Sequence, residues 1–207
     1  MAFTDYKNIE QVLRKETVKV LNDRFLPDHL SLALPEWFLN DLTFSLSIKS
    51  SQENEAFYEE FFIVPFLKEI WKQHRRVKVW SHAYIEYDDD LRGNPDYVVS
   101  ALRAENEYET LKTPLLAAIQ AKQQNFIAGW GQCLAAMLAC QKINTADQTL
   151  DNKAIPVHGI VSTGEVWEFA RLDAQTLRKY PAPLSIANPQ QLAGVLDYIF
   201  TECERFG

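Results

Sequence analysis

The chain has 207 residues, enough for one domain with a sizeable core. Hydrophobic residues make up 47% and charged residues 24%, a globular balance that excludes a disordered chain, a collagen and a disulfide miniprotein. The formal net charge of −7 excludes a strongly basic nucleic-acid coat protein, so any nucleic acid bound here is held by a local patch or by metal.

The N-terminal stretch MAFTDYKNIEQVLRKE is charged throughout and has no apolar core, which predicts no signal peptide. Residues 4–15 are expected to form a short helix with Thr4 as its N-cap. TVKVLNDRFL then has some β character. Leu34-Pro35 opens a second helix, PEWFLNDLTFSL, with Pro35 at N1. Residues 52–74 give the clearest helix, with Phe57, Phe61, Val64, Phe66 and Ile70 as an apolar stripe. Glu53, Glu55, Glu59 and Glu60 crowd its first half, and Pro65 is expected to kink it.

VKVWSHAYIEY alternates as a strand, and DDDLRGN breaks it. PDYVVSALR reads as a second strand with Pro95 at its start. A charged connection over 103–112 leads to PLLAAIQAK, a third strand whose apolar run predicts burial on both faces. Asn125 caps the helix FIAGWGQCLAAMLACQK. A polar loop, NTADQTLDNK, leads to the strand AIPVHGIVST, and Thr163-Gly164 turns into EVWEFARL as a hairpin. Asn188 caps a last helix that has Pro189 at N1. These elements predict an α/β (α+β) fold with a central mixed sheet flanked by helices. One domain over 1–207 is expected: an N-terminal helical extension at 1–50, a core at 51–170, and a C-terminal loop and helix at 171–207.

No run of 18 apolar residues occurs, so no membrane partner is expected. Cys133, Cys140 and Cys203 form no disulfide framework. They read as buried thiols, and a reducing cytoplasmic setting is the default. Cys133 and Cys140 are separated along one helix by about 10 Å, too far for a disulfide. His29, His74, His82 and His158 show no paired zinc-ligand spacing. Asp88, Asp89 and Asp90 read as a solvated loop.

Two elements carry the chemistry. Gly93-Asn94-Pro95-Asp96 places a carboxylate at the start of a strand. Gln120 and Lys122 interrupt the end of the apolar strand and, two residues apart, share one face. Polar groups there are costly unless a partner, metal or substrate satisfies them.

Pro95-Asp96 followed by Gln120-x-Lys122 resembles the signature of the PD-(D/E)XK nuclease superfamily, the restriction-endonuclease-like fold. The order is also similar over about residues 52–143: acidic helix, strand, Asp strand, x-Lys strand, helix. GNPDYVVS and AKQQNFIAGWGQCLAAMLACQ look like small bacterial, often cyanobacterial, members. The resemblance implies a restriction-endonuclease-like sheet and metal-dependent phosphodiester hydrolysis of DNA. Asp96, Gln120 and Glu55 would hold Mg²⁺ or Mn²⁺, and Lys122 would position the water. Gln120 departs from the usual Glu or Asp and removes one negative charge, although Gln-x-Lys resembles the Mrr-type form. Glu59, one turn from Glu55, and Gln132 on the following helix are expected behind these ligands. Trp130, between two glycines, is expected to pack rather than to stack on a base. Lys72, His74, Arg75, Arg76 and Lys78 form a basic cluster, of which Arg75, Arg76 and Lys78 are the candidate DNA contacts. Restriction-like folds commonly dimerise, which leaves a homodimer open, and the acidic excess at 52–60 and 88–90 beside the site predicts DNA bound only weakly without metal. A catalytically degenerate nuclease-fold protein that serves as a binding or scaffold module is the alternative.

Overall fold

The structure is a computed structural model and describes residues 2–102, 110–122, 125–150 and 155–206. Among the described residues, ten strands and six α-helices make a mixed α/β fold. In chain order they are α1 (Ile9–Leu13), β1 (Lys19–Asn22), α2 (Glu36–Ile48), α3 (Glu55–Tyr58), α4 (Val64–Trp71), β2 (Val77–Ser81), β3 (Ile85–Glu86), β4 (Arg92–Gly93) and β5 (Tyr97–Ala101). They continue with β6 (Leu115–Ala121), α5 (Phe126–Ala146), β7 (Val157–Ser162), β8 (Val166–Asp173), β9 (Thr176–Lys179), β10 (Leu184–Ser185) and α6 (Pro189–Glu204). The main sheet runs β1-β9-β8-β7-β6-β5-β2, with β10 also paired to β8. β3 and β4 form a separate small hairpin.

β6 is an interior strand, as its apolar run predicts, and all seven of its residues are buried. It pairs antiparallel with β5 and parallel with β7. A parallel neighbour needs a long crossover, and the 21-residue α5 supplies it, with the Asn125 side chain accepting the Ala128 N–H. α5 packs on one face of the sheet, over Val98, Ala118, Val161 and Leu172. α2, α4 and α6 cover the other face through Phe38, Leu42, Phe66, Leu67, Leu192 and Leu196. The core is therefore two apolar layers with the sheet between them. Each fully buried Leu, Ile or Phe contributes roughly 1.5–3 kcal/mol relative to exposure. Among the described residues no helix is long and apolar enough to cross a membrane.

Several elements differ from expectation. The first helix starts at Asn8, whose side chain accepts the Gln11 N–H, and residues 3–5 form only a 3-10 turn. Thr4 is therefore not the cap. Pro35 is the N-cap of α2 rather than N1. The segment at 1–50 is not only helical, because β1 closes the sheet beside β9. The segment at 171–207 carries β9 and β10 besides its helix. These strands are two to four residues long, too short for a period to show. The strand read through VKVWSHAYIEY breaks at His82, where φ is +51°. α5 runs to Ala146 and absorbs the start of the loop NTADQTLDNK. The connection at 103–112 lies largely outside the described residues. All three cysteines are buried and free.

The long acidic helix is irregular one turn ahead of its proline. Residues Glu59–Ile63 form a π-helical turn between α3 and α4, and the Val64 N–H bonds to the Glu59 carbonyl five residues back. Pro65 has no N–H to return to Phe61, and its ring crowds that carbonyl, so the ladder widens in the turn ahead of it. One extra residue advances the downstream helix by about 100°. Phe66, Leu67 and Ile70 thereby meet the core while the acidic turn extends towards the sheet end.

Candidate functional site

The site lies where β5 begins and β6 ends. β2 and β5 pair antiparallel with Ser81 opposite Tyr97, so the next residues outward, His82 and Asp96, also meet. The His82 N–H donates to the Asp96 carbonyl at 2.9 Å. The Asn94 side chain donates to the His82 carbonyl at 2.7 Å and secures the left-handed backbone. A positive φ is uncommon outside glycine, with asparagine, aspartate and histidine enriched among the exceptions, and such residues cluster at functional sites.

Asp96 faces the α5 side of the sheet with Gln120 and Lys122. Its Oδ2 accepts the Ala121 N–H at 2.7 Å. In the amide orientation that satisfies its neighbours, Gln120 donates to Asp96 Oδ2 at 3.3 Å and to Gln132 Oε1 at 3.2 Å. The Gln120 carbonyl accepts the Asp96 N–H at 3.3 Å. Gln120 therefore braces the Asp96 carboxylate, and its oxygen is spent on backbone. Gln132 stands behind Gln120, in the place expected for it.

Lys122 leaves β6 with its N–H on the Ser162 carbonyl at 2.8 Å. Its stem passes Gly129, where an added Cβ would lie 3.1 Å from the Lys122 Cγ. The ammonium sits 3.3 Å from Glu55 Oε1. α3 reaches this end of the sheet because Gly164, at φ +85°, has no Cβ to meet Tyr58 and Phe62. Glu55 and Glu59, one turn apart, both face the site.

Glu59, His82 and Asp96 each place one ligand atom within 4.8 Å of the other two. Burial pushes the Glu59 carboxyl above the usual carboxylate range, and the nearby Asp96 charge adds to the rise. Burial also raises the Asp96 carboxyl, against the lowering effect of the Ala121 N–H and the Lys122 ammonium. Three carboxylates thus share one ammonium. A dication fits this set, because it removes the repulsion and suits the oxygen donors.

Asp96, Gln120, Lys122, Glu55, Glu59 and Gln132 are therefore brought together. The sequence reading did not place His82 with them. What sets it there is the β2–β5 register, which brings the residue after VKVWS beside Pro95-Asp96 and is not carried by any local pattern. The basic cluster lies elsewhere. Arg76 is six residues from His82 along β2, about 20 Å at strand rise. The Arg76 N–H binds Glu204, and the Lys78 ammonium lies over the Trp80 ring. Arg75 lines a cavity at that far end with Lys68, Trp71 and Lys72. The Asp88 carboxylate caps the N–H groups of Asp90 and Leu91, and Asp90 pairs with Lys15, as a turn would. Trp130 is packed, with its indole N–H on Glu168 at 2.5 Å and the Lys179 ammonium over its ring.

No model of a known protein family matches this chain, and no curated protein matches it either.

Proposed function

We propose that the protein is a metal-dependent phosphodiesterase acting on nucleic acid, with DNA as the substrate its PD-(D/E)XK resemblance suggests. The observation that carries this reading is the convergence of Asp96, Lys122, Glu55 and Glu59 at one sheet end, with Gln120 bracing the aspartate. Asp96 and Glu59 would hold a divalent cation. Such an ion polarises a phosphate oxygen and lowers the pKa of a bound water. Asp96 is oriented for this by the Ala121 N–H and the Gln120 amide. Lys122, steered by Glu55, holds its proton beside the phosphate and stabilises charge that develops on it. Lys122, held 3.3 Å from Glu55 at the end of the sheet where Asp96 and Glu59 lie, would help to position the attacking water.

The test is cleavage of plasmid and single-stranded DNA by the purified chain with Mg²⁺ or Mn²⁺. Metal-dependent nicking that disappears in Lys122→Ala is expected. No cleavage of either substrate, with no metal bound by titration, would sink the reading. A second reading, a binding module on the same fold, is favoured by one observation. The Gln120 carbonyl is turned to the Asp96 N–H and offers the metal no third oxygen.

A further inference from the structure

We propose that His82 is itself a metal ligand, so that Glu59, His82 and Asp96 form a one-imidazole, two-carboxylate site selective for Mn²⁺ and related transition ions over Mg²⁺. This rests on the metal-dependent reading above and names the ion it uses.

Four features of the molecule support it. The first is separation. His82 Nε2 stands 3.9 Å from Asp96 Oδ1, too far for a hydrogen bond. Two ligands of one ion, each at about 2.1 Å, lie about 3–4.2 Å apart. All three ligand atoms are within 4.8 Å of one another, so they close on an ion by side-chain shifts of about half an ångström.

The second is the imidazole's other nitrogen. His82 Nδ1 lies 2.8 Å from Ser81 Oγ. With Nδ1–H donating to that hydroxyl, the tautomer leaves the Nε2 lone pair directed at the carboxylates. Metal-binding histidines are commonly held this way, by a hydrogen bond at the ring nitrogen that does not bind the ion.

The third is the backbone. The His82 N–H is fixed by the Asp96 carbonyl and its own carbonyl by Asn94. The side chain is thus anchored to the residue that carries the carboxylate, while 57% of it stays exposed, open to an arriving ion.

The fourth is charge and softness. Gln120 gives the site no third carboxylate, and its carbonyl faces backbone. The His82 imidazole instead adds a neutral nitrogen donor to the two carboxylates. Nitrogen suits Mn²⁺, Fe²⁺, Co²⁺, Ni²⁺ and Zn²⁺, whereas Mg²⁺ prefers oxygen and retains several waters.

The experiment uses the full chain, stripped of metal with chelator and titrated separately with Mn²⁺ and Mg²⁺. Mn²⁺ should bind at least about tenfold tighter than Mg²⁺. The Mn²⁺ complex should show electron spin-echo modulation from an imidazole nitrogen. His82→Asn keeps a residue that tolerates positive φ, so the fold should survive. That variant should weaken Mn²⁺ about tenfold or more, change Mg²⁺ less than about twofold, and lose the nitrogen modulation. Mn²⁺ bound without nitrogen coupling, and unaffected by His82→Asn, overturns the ligand assignment and leaves the phosphodiesterase reading standing. Nitrogen coupling with no DNA cleaved overturns the phosphodiesterase reading and retains the ligand. Failure to bind Mn²⁺ at millimolar concentration overturns both.

Discussion

The Asp96 carboxylate accepts the backbone N–H of Ala121 at 2.7 Å, tying the residue ahead of β5 to the last residue of β6. The carboxylate is thereby aimed, but in a setting that disfavours its charge. Burial raises its pKa, so the folded chain holds this proton more tightly than the unfolded chain does. Without metal, stability should then fall as pH rises through the raised folded pKa. Asp96→Asn keeps an oxygen for the Ala121 N–H and removes the buried charge. The variant should melt at the wild-type temperature or a few degrees above it in chelator at pH 7. It should also lose the rise in Tm that Mn²⁺ gives the wild type. Thermal melts with and without Mn²⁺ check both points. A variant still stabilised by Mn²⁺ would show that Asp96 is not a ligand.

Lys122 has the opposite charge and a separable role. Its ammonium lies 3.3 Å from Glu55, within the group of carboxylates that includes Glu59 and Asp96. Lys122→Met preserves the stem against Gly129 and deletes the cation. Cleavage should fall by about 10²-fold or more, the scale of a lost charge-stabilising or proton-handling group. Mn²⁺ affinity should hold or increase, because a competing cation has left. Calorimetric titration beside a plasmid nicking assay separates the two. A parallel loss of metal binding would instead make Lys122 a structural residue.

The strand that carries the site was legible because burial on both faces leaves a continuous apolar run, and β6 has one from Leu115 to Ile119. Gln120 and Lys122 stood out against that run, and the period of two gave their shared face. Asp96 was legible from its turn. His82 was not, because its place depends on a register between two strands that no local pattern fixes, even though histidine is among the residues enriched at positive φ. The acidic helix was legible as a helix, but its irregularity was expected at Pro65. The missing N–H acts on the preceding turn, which is where the π segment lies. β9 and β10 are pairing events rather than patterns, and Thr176–Lys179 is a strand because β8 and β1 flank it.

Gln120→Glu tests what the neutral amide contributes. The Gln120 nitrogen donates to Asp96 Oδ2 at 3.3 Å. A carboxylate there would face Asp96 directly and have no N–H to donate to Asp96 or to Gln132 Oε1. Without metal the variant should be less stable by about 1–3 kcal/mol, the cost of an unpaired buried polar group with like charge beside it. Mn²⁺ should restore most of that loss and bind more tightly than in the wild type. Urea unfolding with and without Mn²⁺ reads both signs. Destabilisation that Mn²⁺ does not relieve would place residue 120 outside the metal's reach.

His158 makes a pH prediction away from the site. It lies on β7 opposite Arg171 and is buried, and among the described residues its Nδ1 has no hydrogen-bond partner. Burial, with Arg171 adding to it, pushes its pKa down to about 3. The ordinary histidine value is about 6.5. Between these values the unfolded chain binds a proton that the folded chain refuses. Stability should therefore fall as pH drops from about 6.5 towards 3, by up to about 1.4 kcal/mol per unit from this one group. His158→Leu should flatten the part of the slope between pH 6.5 and 5, which urea midpoints can resolve. An unchanged slope would mean that other groups set the acid limit.

Gly164 links the fold to the site. It turns β7 into β8 at φ +85°, and an added Cβ would lie 3.1 Å from the Tyr58 Cβ and 3.2 Å from the Phe62 Cβ. Tyr58 and Phe62 flank Glu59, so pressure there moves the acidic turn away from Asp96. Gly164→Ala should lose about 1–3 kcal/mol of stability from the strained φ and the contact. It should also weaken Mn²⁺ binding in the protein that remains folded. Gly194→Ala is the control, since its Cβ would meet the backbone of Ser31 under α6, within another part of the core. That variant should lose stability and keep Mn²⁺ affinity. If both glycine variants bind Mn²⁺ as the wild type does, Glu59 does not need its present position to hold the ion.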